Sequence, residues 1–174
     1  SGTLAKDGCI LWNAYRGSGI KPLEGDPSMW LSFLSHLCPV EDEREGTLIP
    51  WLATLIARPD IRMRYGLLLI STLQGVGKNT LGNVLAKLIG MANASFPSER
   101  SVTESQFNGW CARKRLIFIA EIYSGASRAA YDKMKPILTD DIVEINEKNV
   151  KPYTLPNWAT VIACSNSDRA LHLD

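Results

Sequence analysis

Three continuous apolar runs interrupt the alternation of hydrophobic and polar positions along this chain, at 65–70, 116–121 and 160–165. A strand that is buried on both faces of a parallel sheet is continuously apolar, so each run predicts a core strand. Between the first two runs, apolar residues recur at helical spacing over 79–89, which predicts an amphipathic helix. Strands separated by helices favour an α/β fold with a parallel sheet flanked by helices.

The residues before the first core strand predict a small helical segment. Asp26 and Pro27 are a favourable helix start, and apolar residues then recur at helical spacing until Pro39. A second helical stretch covers 41–58, with Pro50 in the first turn of its stronger part. Residues 1–26 predict an extended lead-in. We therefore divide the chain into a lead-in with a helical subdomain (1–60) and an α/β core (61–174).

The second half of the chain predicts three further elements. Residues 90–103 lack any sustained period and predict a surface loop, whereas 127–138 have helical character. Two short β-type runs lie within 142–155 around a polar tip, which predicts a hairpin. Because Pro152 has no N–H to donate, this hairpin should project from the fold and not occupy the sheet centre.

Composition limits the possible functions. With 174 residues, of which 45% are hydrophobic, the chain can form one α/β domain with a small helical attachment, and its formal charge of +1 gives no overall polycation character. The four cysteines form no C-x-x-C pair, so we expect no disulfide framework or metal cluster, and Cys38 and Cys164 are expected in the core of a cytosolic protein. No apolar run approaches the ~20 residues of a membrane span, so no membrane partner is expected.

The first apolar run continues into a glycine loop, a lysine and the predicted helix, which is the order of a phosphate-binding P-loop. Gly75 and Gly77 allow the backbone N–H groups to point at phosphate oxygens near the positive end of the helix dipole, and Lys78 would reach the outer phosphates. The motif departs from its usual form at Thr72, in place of the first glycine, and at Asn79, in place of the hydroxyl that binds Mg²⁺. An ordinary turn with a solvated lysine remains the alternative. The candidate nucleotide-binding residues are Gln74, Gly75, Val76, Gly77, Lys78, Asn79 and Thr80.

Polar residues also end the other two core strands. Glu121 ends the second run in the manner of a Walker B carboxylate, and Asn166 follows the third. Because ligands bind at the carboxyl ends of parallel strands, Glu121 would face the phosphates and could activate the attacking water or hold Mg²⁺ through a water. A surface glutamate at a strand end is the alternative.

The order of these features resembles that of the superfamily 3 helicases, and most closely the C-terminal helicase domains of phage and plasmid primase-helicases and phage primase-polymerases. The similarity runs from about Trp12 to the last residue. The segments that carry it are 74–79, 107–110, 119–121, 135–141, 145–148 and 164–166.

The resemblance implies an AAA-like P-loop NTPase core that assembles into a ring, usually a hexamer, with ATP and Mg²⁺ between subunits and single-stranded DNA in the channel. Lys78 would contact the β- and γ-phosphates, Glu121 would be the Walker B residue, and Asn166 would act as sensor 1. Mg²⁺ would be held by Asn79, Thr80 and Glu121. The hairpin would line the channel, and its DNA-binding residues would be Lys148, Asn149 and Lys151. The protein would belong to a phage or mobile element in the bacterial cytoplasm, fused to a primase or polymerase domain.

The same resemblance predicts an arginine finger shortly after sensor 1, but Arg169 is too close to Asn166 for that role. The resemblance therefore implies that the core is truncated at its C-terminal end. The isolated chain is expected to be monomeric and to hydrolyse ATP poorly, since arginine fingers raise the rate by about 10³–10⁵. Two alternatives remain: a P-loop small-molecule kinase, for which no arginine-rich lid is evident, and a catalytically weak nucleotide-binding module. The DNA-translocating ATPase is preferred because several motifs occur in the expected order.

Overall fold

A four-stranded parallel sheet forms the centre of the computed structural model, which describes residues 2–6, 8–12, 19–122 and 127–167. Its strands are β3 (Leu67–Ile70), β4 (Ala94–Ser95), β5 (Leu116–Ile119) and β8 (Thr160–Ser165). They lie in the order β3-β8-β5-β4, with Leu67 opposite Ile162 and Leu116 opposite Thr160. The three core strands predicted from the apolar runs and the predicted α/β class are therefore confirmed.

Each face of this sheet is covered by a separate hydrophobic cluster. Phe118 and Ile162 join the first cluster, which includes the helices before and after β3, whereas Ile117 and Val161 join the second. Successive residues of one strand thus enter opposite clusters, because side chains alternate across a sheet. Burial on both faces is the physical reason for the uninterrupted apolar runs.

The helical segment before β3 forms as predicted. Helix α1 (Ser28–Leu37) follows Pro27, and Asp26 Oδ1 accepts a hydrogen bond of 2.9 Å from the Ser28 N–H. Helix α2 (Glu41–Glu43) continues through a π-helical turn (Arg44–Leu48) into α3 (Ile49–Ala57), in which Pro50 lies in the first turn. The proline directly follows the π-helical turn, in which the Ile49 N–H donates to the Arg44 carbonyl five residues earlier and the regular α-helical hydrogen-bond series is interrupted.

Two predicted irregular segments contain regular structure. Within the supposed extended lead-in, β1 (Thr3–Lys6) and β2 (Cys9–Trp12) form an antiparallel hairpin, with Gly8 at φ 75° between them. Within the supposed loop 90–103, β4 extends the central sheet and α5 (Glu99–Thr103) is capped by Ser98. The predictions were wrong at these elements, which are too short to show a period, whereas residues 19–26 contain no helix or strand, as predicted.

Helix α4 (Lys78–Ile89) lies between β3 and β4, and the remaining elements lie between β5 and β8. Helix α6 (Ser127–Thr139) precedes β6 (Ile142–Ile145) and β7 (Tyr153–Pro156), and these two strands form an antiparallel sheet of their own. The predicted hairpin outside the central sheet is confirmed. Its base is fixed to α6 by Asn157, whose Nδ2 donates to the carbonyls of Ile137 (2.7 Å) and Asp140 (2.8 Å).

The cysteines are all unpaired thiols. Cys164 is buried as predicted, Cys38 is half-buried against the first cluster, and Cys111 is buried in the second. Burial raises the pKa of Cys164 to about 12 and that of Cys111 to about 11. In the described ranges, no helix has the length and apolar character to cross a bilayer.

Gly82 permits close packing of α4 on the sheet. A methyl group at this position would lie 2.8 Å from ring carbons of Phe118, which is itself fully buried. Gly82→Ala should therefore lower the free energy of unfolding by about 1–3 kcal/mol, although alanine favours helix formation. Chemical denaturation measures this loss.

Gly46→Ala is the matched control, because a methyl group at Gly46 would meet no atom within 4 Å. It should leave stability unchanged or raise it slightly. Equal losses in the two variants would contradict the packing explanation.

Candidate nucleotide-binding site

The loop between β3 and α4 adopts a conformation that requires glycine. Gly75 and Gly77 have φ values of 75° and 98°, in the left-handed region that other residues rarely adopt. A side chain at Gly77 would also lie 2.9 Å from a ring carbon of Phe33 on α1. The loop is thus curled as predicted and is backed by the helical segment, while α4 begins at Lys78, one residue earlier than expected.

Lys78 faces the end of the neighbouring strand. Its Nζ donates to Asn166 Oδ1 at 2.8 Å and to the carbonyl of Ser71 at 3.3 Å. The Ser71 N–H in turn donates to the carbonyl of Ser165 at 3.0 Å, so the start of the loop is attached to the end of β8. The lysine is therefore held at the carboxyl edge of the sheet and does not extend freely into solvent.

Glu121 lies at the same edge, two residues after β5. Asn166 Nδ2 donates to Glu121 Oε1 at 2.8 Å, while Asn166 Oδ1 accepts from Lys78. The next residue, Ile122, donates its N–H to the carbonyl of Cys164 and accepts from Ser165 Oγ, both at 2.8 Å. Because β8 lies between β3 and β5, Asn166 connects the lysine to the carboxylate.

These groups surround one cavity of about 240 Å³. All seven predicted nucleotide-binding residues line it, together with Ala120 and the predicted catalytic residues Glu121 and Asn166. A second cavity of about 300 Å³ lies alongside β3 and shares Val76 and Lys78 with the first. The arrangement combines the glycine loop with the Lys78 ammonium, the Glu121 carboxylate and the Asn166 carboxamide, which are the kinds of group that hold and attack a phosphate chain.

The predicted metal ligands also meet at this cavity. Asn79 and Thr80 are exposed in the first turn of α4, and both line the cavity with Glu121. Their oxygen atoms fit the ligand preference of Mg²⁺, which usually binds one or two carboxylates and phosphate oxygens. Within the described ranges there is no cluster of three or more His, Cys, Asp or Glu residues suited to a metal held by the protein alone.

The predicted DNA-binding residues lie away from this cavity, at the hairpin tip. Lys148, Asn149 and Lys151 are all exposed. Asn149 has φ 62°, and a hydrogen bond of 3.2 Å from the Val150 N–H to the Glu147 carbonyl closes the turn. The sequence reasoning gave no role to Asn108, which contacts this hairpin, beyond its place in the resemblance. Arg169 lies outside the described residues.

Comparison with known proteins identifies the family. A family model described as a family of unknown function matches residues 69–174, which is more than half of the chain. The chain belongs to the DUF5906 family. The match begins in β3 and includes the glycine loop, Glu121, the hairpin and Asn166, so it covers every part of the candidate site.

This DUF5906 chain is also similar to a named phage protein. It is 26% identical over 151 residues to the DNA primase-polymerase of Nitratiruptor phage NrS-1, an alignment that covers 84% of the chain. The chain spans only 20% of that relative's length. The predicted resemblance to phage primase-polymerases is confirmed by this match, whereas the superfamily 3 assignment stays a prediction.

Solved structures of the NrS-1 C-terminal region have the same fold as this DUF5906 chain. One apo structure superposes with a TM-score of 0.83 at 22% identity and covers 99% of this chain and 42% of the other. The A form apo structure gives a TM-score of 0.78 at 23% identity and covers 94% and 39%. At this identity the likeness establishes a shared fold.

Proposed function

We propose that this chain is the ATP-hydrolysing module of a phage DNA replication protein and that it moves along single-stranded DNA. The observation that carries the proposal is the hydrogen-bonded series Lys78–Asn166–Glu121 at the cavity lined by the glycine loop. In this series the Lys78 ammonium and the Glu121 carboxylate lie on either side of the Asn166 carboxamide, where the first would bind phosphate and the second would act as general base. The named function of the NrS-1 relative supports the replication context.

The glycine loop would hold the phosphates of ATP. Its backbone N–H groups and the N-terminus of α4 favour negative charge, and Lys78 would move from Asn166 Oδ1 to the β- and γ-phosphate oxygens. Asn79, Thr80 and Glu121 would hold Mg²⁺, which when bound neutralises charge on the phosphates. The cavity alongside β3, which shares Val76 and Lys78 with the phosphate-binding cavity, would offer space for the adenine ring of ATP.

Glu121 is the candidate base for hydrolysis. It would orient a water molecule and accept its proton while the water oxygen bonds to the γ-phosphorus and the bond to the bridging oxygen breaks, releasing ADP. Asn166, through its hydrogen bond to Glu121 Oε1, would hold the carboxylate in place and polarise the water or the γ-phosphate. Both side chains are positioned by β8 and β5, which are buried strands.

The hairpin tip would contact the DNA backbone. Lys148 lies in the turn and Lys151 directly after it, and both are exposed; such lysines would bind phosphates without reading sequence. We further propose that the natural protein forms a ring, expected to be a hexamer, with the hairpins in its channel and the arginine finger supplied between subunits. A fused primase or polymerase domain is consistent with the NrS-1 name.

The proposal is tested by measuring ATP turnover of the natural full-length protein with and without single-stranded DNA. DNA should accelerate turnover, and the Lys148→Ala/Lys151→Ala variant should lose this acceleration. A plot of log affinity against log salt concentration has a negative slope, and in this variant the slope should become less steep by about 0.7 for each lost phosphate contact. Lys133→Ala, at an exposed position on α6, is the matched control and should behave as wild type.

Other outcomes would redirect the assignment. Turnover that ignores DNA would refute translocation. Transfer of phosphate to a nucleoside or metabolite would indicate a kinase, and ATP binding without turnover in the complete protein would indicate a nucleotide-binding module.

A further inference from the structure

A short segment before β5 holds the hairpin next to its tip. The Asn108 side chain donates from Nδ2 to the Glu144 carbonyl at 2.8 Å and accepts at Oδ1 from the Asn146 N–H at 2.7 Å. The Asn108 N–H donates to the Asn146 carbonyl at 3.0 Å. Asn146 Nδ2 also donates to the Gln106 carbonyl at 3.2 Å. We call residues 106–109 the clamp segment.

The carboxamide of Asn108 acts like the peptide group of a neighbouring strand. Alternate residues of a strand direct their N–H and C=O groups to the same edge, and Glu144 and Asn146 are two residues apart. One edge of β6 is paired with β7, so the clamp segment takes the other edge. Asparagine suits this position because it offers one donor and one acceptor on a single planar group.

The clamp segment also contacts the turn itself. A Cβ atom at Gly109 would lie 2.8 Å from Glu147 Cγ, so the absence of a side chain lets Glu147 pack against this backbone. On its other side, the segment is attached to the core, since the Cys111 N–H donates to the Asn108 carbonyl at 2.9 Å and Cys111 is buried. The clamp therefore joins the hairpin to the second hydrophobic cluster.

The hairpin tip depends on this attachment because its own ladder ends early. The last paired residues are Ile145 and Tyr153, so residues 146–152 extend beyond the ladder. The ladder itself is held by the core, since Ile145 is fully buried in the second hydrophobic cluster, whereas residues 148–152 beyond the ladder are exposed. Three of the contacts made by the clamp fall on Asn146 and a fourth on Glu147, immediately before Lys148.

We propose that Asn108 is a positioning residue that pre-organises Lys148 and Lys151 for binding to the phosphates of single-stranded DNA. The inference rests on the proposed function of the hairpin. Without the clamp, the tip would have to be ordered during binding, and this cost would reduce affinity and the number of simultaneous phosphate contacts. Among the described residues, Asn108 forms hydrogen bonds with Glu144, Asn146 and Cys111, none of which lines the nucleotide-binding cavity.

The test measures binding of a fluorescently labelled oligothymidylate by anisotropy across a range of salt concentrations, well below the melting temperature of each variant. Asn108→Ala should weaken oligothymidylate binding about tenfold. It should also make the affinity less dependent on salt concentration, close to the dependence of Lys148→Ala/Lys151→Ala. Adding Asn108→Ala to the lysine variant should cause little further loss, because the clamp acts through the lysines. Affinity for a fluorescent ATP analogue should stay unchanged.

Two further variants make the result decisive. Asn108→Asp keeps the size and the acceptor for the Asn146 N–H but loses the donor to the Glu144 carbonyl, so it should reproduce the DNA-binding loss and carries the test if Asn108→Ala does not fold. Asn83→Ala, an exposed asparagine on α4, is the matched control and should bind DNA as wild type.

The outcomes separate this inference from the proposed function. If the lysine variant loses binding while both Asn108 variants keep wild-type affinity and salt slope, the clamp has a purely structural role and the inference is overturned. If Asn108→Ala weakens DNA binding in the lysine variant as much as it does in the wild type, Asn108 does not act through the lysines and the inference is overturned as well. If the lysine variant itself binds DNA normally, the proposed DNA surface fails, and the positioning role fails with it.

Discussion

Glu121→Gln should slow ATP hydrolysis by about 10²–10⁴-fold while ATP binding remains close to wild type. The substitution removes the group that would accept the proton of the attacking water. It preserves the size of the side chain, and the amide oxygen can still accept the hydrogen bond that Asn166 Nδ2 now donates to Glu121 Oε1. Single-turnover hydrolysis and equilibrium binding of a fluorescent ATP analogue, measured on the full-length protein, separate the two effects.

The matched control for Glu121→Gln is Glu104→Gln, which makes the same chemical change at an exposed position after α5. It should hydrolyse ATP at the wild-type rate. Normal hydrolysis by Glu121→Gln would exclude this carboxylate as the base. Equal loss of binding and rate would instead indicate that Glu121 acts mainly through the metal.

Lys78→Ala should lower both ATP affinity and turnover, the latter by about 10²–10³-fold. The ammonium group would contact the β- and γ-phosphates in the ground state and as charge develops during transfer, so binding and rate should fall together. The fold should persist, because within the part of the chain that the structure describes Lys78 Nζ donates to Asn166 Oδ1 and the Ser71 carbonyl, both at the edge of the cavity. Calorimetric titration with ATP and steady-state turnover measure the two losses.

Lys87→Ala is the matched control, since it removes an exposed lysine from the last turn of the same helix. It should retain both affinity and rate. Wild-type ATP affinity in Lys78→Ala would show that this lysine does not hold the phosphates, and the P-loop role assigned to it would then be wrong.

The parts of the site that sequence reasoning identified depend on local chemistry. Gly75 and Gly77 are needed for positive φ values, and Lys78 follows them directly, so three neighbouring residues carry the signal. The continuous apolar runs mark strands buried on both faces, and polar residues at their ends mark the ligand-binding edge. Such features can be recognised without knowing which strands are neighbours.

Periodicity did not predict the short elements β1, β2 and β4. The two residues of β4 are a strand because they pair with β5, and β1 and β2, with four residues each, are strands because they pair with each other. Their structure is determined by pairing partners and not by a period of their own.

The sequence by itself determined the α/β class, the core strands, the glycine loop and the residues that line the cavity, because each is encoded in a few adjacent positions. Only the tertiary structure decided how those residues meet. Insertion of β8 between β3 and β5 places Asn166 beside Lys78, 88 positions away, and beside Glu121, 45 positions away. In the same way, Asn108 meets Asn146 across 38 positions. Such contacts depend on strand order and loop closure, which a single sequence does not specify locally.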